Sequence, residues 1–158
     1  MLSWETSLRR DVRTIALVLA LLGLIGFAGA AHALNKVTAD AEIKKFLASQ
    51  TTPTEGADAG GSIIADLNGD GTDEIVLVWS TMGPTYSHDW LTVLTASSDG
   101  YRVAASTDLT GQAQLSAVKG GVIYVEQHVL AKSDPLCCPS VVKRVGYRWR
   151  GTKIKQIK

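Results

Sequence analysis

The side chains best placed for chemistry lie in one short run, Asp66-Leu-Asn-Gly-Asp-Gly-Thr-Asp-Glu74. Oxygen-bearing side chains fall at loop positions one (Asp66), three (Asn68), five (Asp70) and nine (Glu74), with the Thr72 backbone carbonyl at seven. Alternate residues of a tightly curled loop turn their oxygens inward, and Ca²⁺, a hard cation, takes about six to eight of them. Gly71 stands at position six, where the chain must turn sharply. An EF-hand is excluded, because position twelve, which must carry a bidentate carboxylate, is Leu77. The competing reading is a metal-free polar turn, since Asn68-Gly69 and Asp70-Gly71 are both strong turn formers. One such dipeptide suffices for a turn, and four oxygen side chains at alternate positions exceed that need. The expected cofactor is therefore a structural Ca²⁺, held weakly, with a Kd on the order of 10⁻⁴–10⁻³ M as in extracellular modules.

The second chemical feature is Asp134-Pro-Leu-Cys-Cys-Pro-Ser140, which contains both cysteines of the chain, Cys137 and Cys138. An oxidising compartment favours a disulfide between them. Neighbouring Cα atoms lie about 3.8 Å apart across a trans peptide, below the usual disulfide range, so a ring calls for a distorted or cis peptide. Pro135 and Pro139 stiffen the loop enough to hold one. A structural vicinal disulfide, a labile redox switch, and interchain or free thiols all stay open. Zinc is disfavoured, because His88 and His128 have no motif spacing to the cysteines.

Other catalytic signatures are missing. Ser87, His88 and Asp89 are chain neighbours, whereas triad members meet through the fold. There is no Gly-x-Ser-x-Gly elbow, and Gly60-Gly61 and Gly120-Gly121 do not form a phosphate or dinucleotide loop. Trp79 to Trp90, with Gly83-Pro84, Tyr86 and Trp90, is a candidate recognition segment: Trp79 is expected in the core, Tyr86 on the loop surface. Arg144, Arg148 and Arg150 form a second candidate, a basic strand face suited to an anionic cell-wall or membrane surface. Its bland alternative is a merely solvated face.

The amino terminus indicates where this chemistry operates. Arg9, Arg10 and Arg13 precede an apolar stretch from Ile15 to Phe27, and small residues end in Ala31-His-Ala33. Residues 1–33 therefore read as a signal peptide, with an uncleaved anchor as the alternative. The arginines keep their own end cytoplasmic under both readings, so the rest is exported, periplasmic or secreted. Arg9-Arg10 fits a twin-arginine signal poorly, and no Cys stands near the cleavage site for lipid attachment. Removing 33 of 158 residues leaves 125, enough for one small domain. With Arg9, Arg10 and Arg13 gone from 16 basic residues, and Glu5 and Asp11 from 15 acidic ones, 13 of each remain. Charge is segregated: Glu55 to Glu74 carries six acidic and no basic residues, Lys143 to Lys158 seven basic and no acidic ones. The first attracts cations; the second attracts anions or keeps an edge soluble. Nucleic acid is not an expected partner for an exported chain.

The elements that must position these groups are mostly strands. A three-turn helix is expected from Thr38-Ala-Asp40 to Gln50, capped by Thr38 or Asp40, with Ile43, Phe46 and Leu47 inward and Lys44 and Lys45 outward. Residues 34–60 read as this helix plus a linker from Thr51, and residues 61–158 as the β-rich region of the same domain. Ser62 to Ala65 leads into the acidic loop, and the apolar run Glu74 to Trp79 leads out as a buried strand. Hairpins are expected around Ser97-Ser-Asp-Gly100 and Lys119-Gly-Gly121, then a strand from Val141 to Arg150 and a short one through Ile154. In Val141 to Arg150, Val145, Tyr147 and Trp149 share one face and the three arginines the other. The fold class is α+β, one N-terminal helix packed on a mostly antiparallel meander.

The acidic loop resembles the Asp-x-Asn-Gly-Asp-Gly-x-Asp-Asp element of FG-GAP/VCBS repeats, matching from Asp66 to Ile75 with Glu74 in place of the final Asp. That resemblance implies a strand–loop–strand unit that binds calcium. The single loop together with the late Asp-Pro-x-Cys-Cys-Pro motif also resembles a group of small exported bacterial proteins of unassigned function, mycobacterial lipoproteins among them. The likeness spans roughly Gly61 to Arg150, and the chain departs from it in lacking a lipidation cysteine. It implies a shared fold and supplies no activity. The leading functional expectation is an exported, noncatalytic, calcium-binding module or inhibitor-like domain, partnered by an envelope protein or an anionic wall component. The alternatives are an envelope thiol/disulfide protein and an unrecognised hydrolase using Asp70 or His88.

Overall fold

A computed structural model describes residues 34–157; the signal-peptide reading of residues 1–33 and the last basic residue lie outside them. The order is α1 (Lys36–Gln50), β1 (Gly56–Ala65), β2 (Glu74–Met82), β3 (Ser87–Ser97), β4 (Gly100–Asp108), β5 (Gln112–Lys119), β6 (Val122–Val129), β7 (Val141–Arg150) and β8 (Lys153–Ile157). The strands form two four-stranded antiparallel sheets in sequence order, β1-β2-β3-β4 and β5-β6-β7-β8. Helix plus antiparallel strands is as expected; the single meander is in fact two sheets. Among the described residues no helix is long and apolar enough to cross a membrane.

β2 shows why the chain runs apolar there without alternation. Ile75, Leu77 and Trp79 face α1, packing with Ala39, Ile43 and Leu94, while Val76 and Val78 face the second sheet. All are buried, so the strand lies in the middle layer of three and needs apolar side chains on both faces. Side-chain burial of this kind contributes about 1.5–3 kcal/mol per large aliphatic residue. The inter-sheet core is Val76, Val78, Leu91, Val93, Leu109, Ile123, Val125 and Tyr147. Phe46 on α1 meets Trp79 edge-on, with ring centroids 5.2 Å apart.

Two boundaries differ from expectation. The helix begins at Lys36, and its cap is Asn35, whose side chain accepts from Thr38 N at 2.9 Å, rather than Thr38 or Asp40. Asn is as good a cap as Asp, and the earlier position brings Ala39 into the buried stripe. The stretch expected as linker is strand from Gly56 onward, paired with β2 from Gly56↔Met82 to Ala65↔Glu74 around a bulge at Ala59/Gly61. The part of β1 before Ser62 consists of small and polar residues on a sheet edge, so it carries no apolar period.

The chain changes sheets at Leu109-Thr-Gly111. Asp89 on β3 holds that corner: its carbonyl accepts from Leu109 N at 2.8 Å, and its carboxylate accepts from Ala113 N at 2.6 Å and Ser80 Oγ at 2.7 Å. Gly120 and Gly121, both at positive φ (55° and 69°), close the β5–β6 hairpin as a two-residue turn.

Candidate functional site

The acidic loop joins β1 to β2, the strand–loop–strand setting expected from its sequence. Leu67, its second residue, packs against the inter-sheet core, and this burial anchors the loop. Its polar side chains curl onto their own backbone. Asp66 accepts from Gly69 N at 2.7 Å and Gly71 N at 2.9 Å; Asn68 Oδ1 accepts from Asp70 N at 2.8 Å; Asp70 Oδ1 accepts from Thr72 N at 2.7 Å. Asn68 Nδ2 donates to the other Asp70 oxygen at 2.8 Å. Gly69 and Gly71 have φ of 79° and 85°, which only glycine adopts without strain. The Thr72 N–H, then the Asn68 amide, hold the Asp70 carboxyl below the usual carboxylate range.

Glu74 differs from the other members of the loop. It is fully buried; Oε2 accepts from Leu67 N at 2.9 Å, while Oε1 is buried without any partner. Burial pushes its pKa up, against the Leu67 bond, and the negative charges of Asp70, Asp66 and Asp73 push it further. A buried carboxylate oxygen lacking a donor is costly unless it is protonated or meets a cation. Among the described residues no three His, Cys, Asp or Glu side chains gather into a metal cluster, since the outer loop oxygens are turned to loop amides. The donor set nevertheless fits a hard cation: it is all oxygen, at alternate positions, with one buried oxygen in want of a positive partner.

Asp73 extends the loop's connections in a way its sequence position does not announce. Its carboxylate accepts from Leu34 N at 3.1 Å, and its carbonyl from Tyr101 Oη at 3.0 Å, linking the loop to the helix entrance and to β4. Burial, then the charges of Asp73, Glu74 and Glu42, raise the Tyr101 pKa. Gly121 also escaped sequence reasoning: a Cβ there would come within 2.9 Å of the Leu67 carbonyl, so the β5–β6 turn lies directly against the loop.

Cys137 and Cys138 are joined in a vicinal disulfide, their Cα atoms 3.8 Å apart, and no cis peptide occurs among the described residues. Both are exposed. The loop is held by Asp134, whose carboxylate accepts from Ala131 N (2.7 Å), Ser140 N (2.7 Å) and Ser140 Oγ (2.8 Å), bonds that lower its pKa. Leu136 projects into solvent at 92% exposure. Leu136 and Pro139 line one side of a cleft of about 480 Å³ whose other walls include His88, Asp89, Gln112 and His128.

The remaining candidates separate. Trp79 is buried, its Nε1 donating to Thr92 Oγ1 at 2.8 Å. Trp90 is half-buried and stacks on it at 6.0 Å, with His88 against its edge. Tyr86 is exposed, folded over Gly83 and hydrogen-bonded to Glu55. The carboxylate oxygens of Asp89 are taken by Ser80 and Ala113, which makes this residue a structural clasp between the sheets. Arg144 lies over the Tyr124 ring at 5.3 Å and donates to Ser116 Oγ at 3.3 Å, whereas Arg148 and Arg150 flank a concavity beside Asn68. Comparison with protein-family models, with curated proteins and with solved structures returned no match to this chain.

Proposed function

We propose that this chain is an exported, noncatalytic binding domain, stabilised by one Ca²⁺ in the loop from Asp66 to Glu74 and acting as a binding or inhibitor-like module in the cell envelope. The observation that carries the calcium reading is Glu74 Oε1, buried and unpartnered beside three further loop carboxylates. Asp66, Asn68, Asp70, Glu74 and the Thr72 carbonyl would hold the ion. Bound there, it neutralises the loop's negative charge and ties β1 to β2. The side chains must exchange bonds to loop amides for bonds to the ion, which is consistent with weak affinity. The Leu67 side chain against the inter-sheet core, and its carbonyl beside Gly121 of the β5–β6 turn, would carry such stabilisation to both sheets.

The test is thermal unfolding of the full chain in EDTA and through a calcium titration, with Asp70→Ala as the paired control. Calcium at about 100 times Kd should stabilise the wild type by about 2.7 kcal/mol by mass action, and the variant little. Equal curves for the two proteins, together with native mass spectra free of a bound ion, would reduce the loop to a hairpin turn.

A second reading, an envelope thiol/disulfide protein, is supported by the exposed Cys137–Cys138 bond at the lip of the 480 Å³ cleft. It requires that Cys137→Ser abolish a thiol-exchange activity while the melting temperature holds. A variant that only melts earlier removes its support.

A further inference from the structure

The outer face of β7 and β8 holds four cations in a block. The register sets Arg148 opposite Lys155 and Arg150 opposite Lys153, and residues two apart on a strand share a face. Like charges directly opposite each other weaken a sheet. The ion pairs among the described residues are both on α1, Lys36–Asp40 and Lys45–Glu42, so none of the four cations is held in a direct ion pair. Guarding an exposed edge accounts for the lysines of β8, the outermost strand. It does not account for the arginines of β7, which lies between β6 and β8.

The block borders a concavity of about 310 Å³, bounded by Arg148, Trp149, Arg150, the Gly120-Gly121 turn and Asn68. A Cβ at Gly120 would meet nothing within 4 Å, so the backbone there is open to a ligand. We propose that this block and concavity bind a linear phosphate polymer that carries no bases. Cations repeat about 6.7 Å along the strand and about 4.8 Å across it, a spacing suited to successive groups of an extended chain. A tetrahedral phosphate offers non-coplanar oxygens to an arginine fork and to the lysine facing it at once. A membrane surface fits less well, because Arg144, which would widen the block, is engaged with Tyr124 and Ser116. The assignment rests on the reading of the chain as a binding domain; it needs no bound calcium, although Leu67 and Asn68 of the acidic loop border the same concavity.

The experiment is fluorescence anisotropy of end-labelled long-chain inorganic polyphosphate with the full chain, in EDTA so that no calcium ion bridges the polymer to the acidic loop. Binding should be tight at about 20 mM salt and weaken on a log–log plot with a slope of about −3, from four contacts at about 0.7 each. Arg148→Gln/Lys155→Gln should weaken binding at least tenfold and roughly halve the slope. Its melting temperature should stay level or rise by about 1–3 °C, because an opposed like-charge pair is gone. Arg150→Gln/Lys153→Gln repeats the test should the first variant fail to fold. Lys36→Gln/Lys44→Gln on α1, with the same charge removed, should bind as wild type does. The proposal is overturned by absence of polymer binding in wild type, or by equal losses in the α1 control. Equal affinity for phosphatidylglycerol vesicles or a single-stranded oligonucleotide also overturns it, in favour of a membrane or nucleic acid.

Discussion

The Leu67 N–H donates to Glu74 Oε2 at 2.9 Å across the acidic loop, and the other oxygen of the same carboxylate is left buried and unpaired. One end of this contact is anchored in the inter-sheet core through the Leu67 side chain, the other begins the central strand β2. The loop is thus rigidly mounted while one of its charges is uncompensated. Glu74→Gln keeps an acceptor for Leu67 and removes the charge. In EDTA at neutral pH the variant is expected to melt at or above the wild-type temperature, and to show little of the rise in calcium that the proposed site predicts for wild type. Parallel calcium titrations by scanning fluorimetry check this.

Glu74 also sets a pH dependence. Its folded pKa is raised, so its contribution to stability is complete below its unfolded pKa, about 4.3, and is lost as pH rises through the folded value. Asp70 and Asp134 act oppositely: their pKa values are lowered, so their contribution is present above about 3.9 and lost as pH falls through the folded values. The metal-free protein should therefore lose stability from mildly acid towards neutral pH, and Glu74→Gln should flatten that limb. Under the proposed calcium role the ion should reverse it, because the deprotonated carboxylate would be the ligand. Melting curves across pH 4–8 in EDTA and in calcium separate these effects; a wild-type limb unaltered by the Gln change would refute the assignment to Glu74.

Asp89→Ala should destabilise the protein by about 2–3 kcal/mol, because Ala113 N and Ser80 Oγ lose their acceptor near the junction of the sheets. Asp89→Asn should be milder, since the Ser80 hydroxyl can reverse its role as donor. Urea unfolding midpoints at unchanged m-value give the comparison.

Gly121→Ala meets the Leu67 carbonyl at 2.9 Å and must also hold φ near 69°. Gly120→Ala carries a similar backbone strain, about 1–2 kcal/mol, but points into open space. The Gly121 variant should be the less stable of the two and should bind calcium more weakly. Isothermal titration, with denaturant curves for both, reads the two effects.

The disulfide closes a ring between chain neighbours, so it removes little unfolded-state entropy. Cys137→Ser/Cys138→Ser should shift stability by less than about 1 kcal/mol. Asp134→Ala, which removes three hydrogen bonds, should open the same loop to proteolysis far more readily. Rates of limited proteolysis near Leu136 distinguish the two variants.

Local pattern was enough to show the helix stripe of Ile43, Phe46 and Leu47, the strands on either side of the acidic loop, both tight hairpins and the two faces of β7, because each is encoded in the period or turn chemistry of contiguous residues. The loop's oxygen spacing was equally plain. The first half of β1, Gly56 to Gly61, was not, since an edge segment of Gly, Ala and Asp owes its form to pairing with β2 and carries no apolar period of its own. Nor could the chain announce that β4 and β5 part into separate sheets: that depends on Asp89 reaching Ala113, 24 residues away. The unpaired oxygen of Glu74, the seat of Leu67 against Gly121 and the four opposed cations of β7 and β8 likewise arise from packing and register. Contacts between distant residues have no local signature, and only the closed tertiary structure decides which polar groups are satisfied and which are left unpaired.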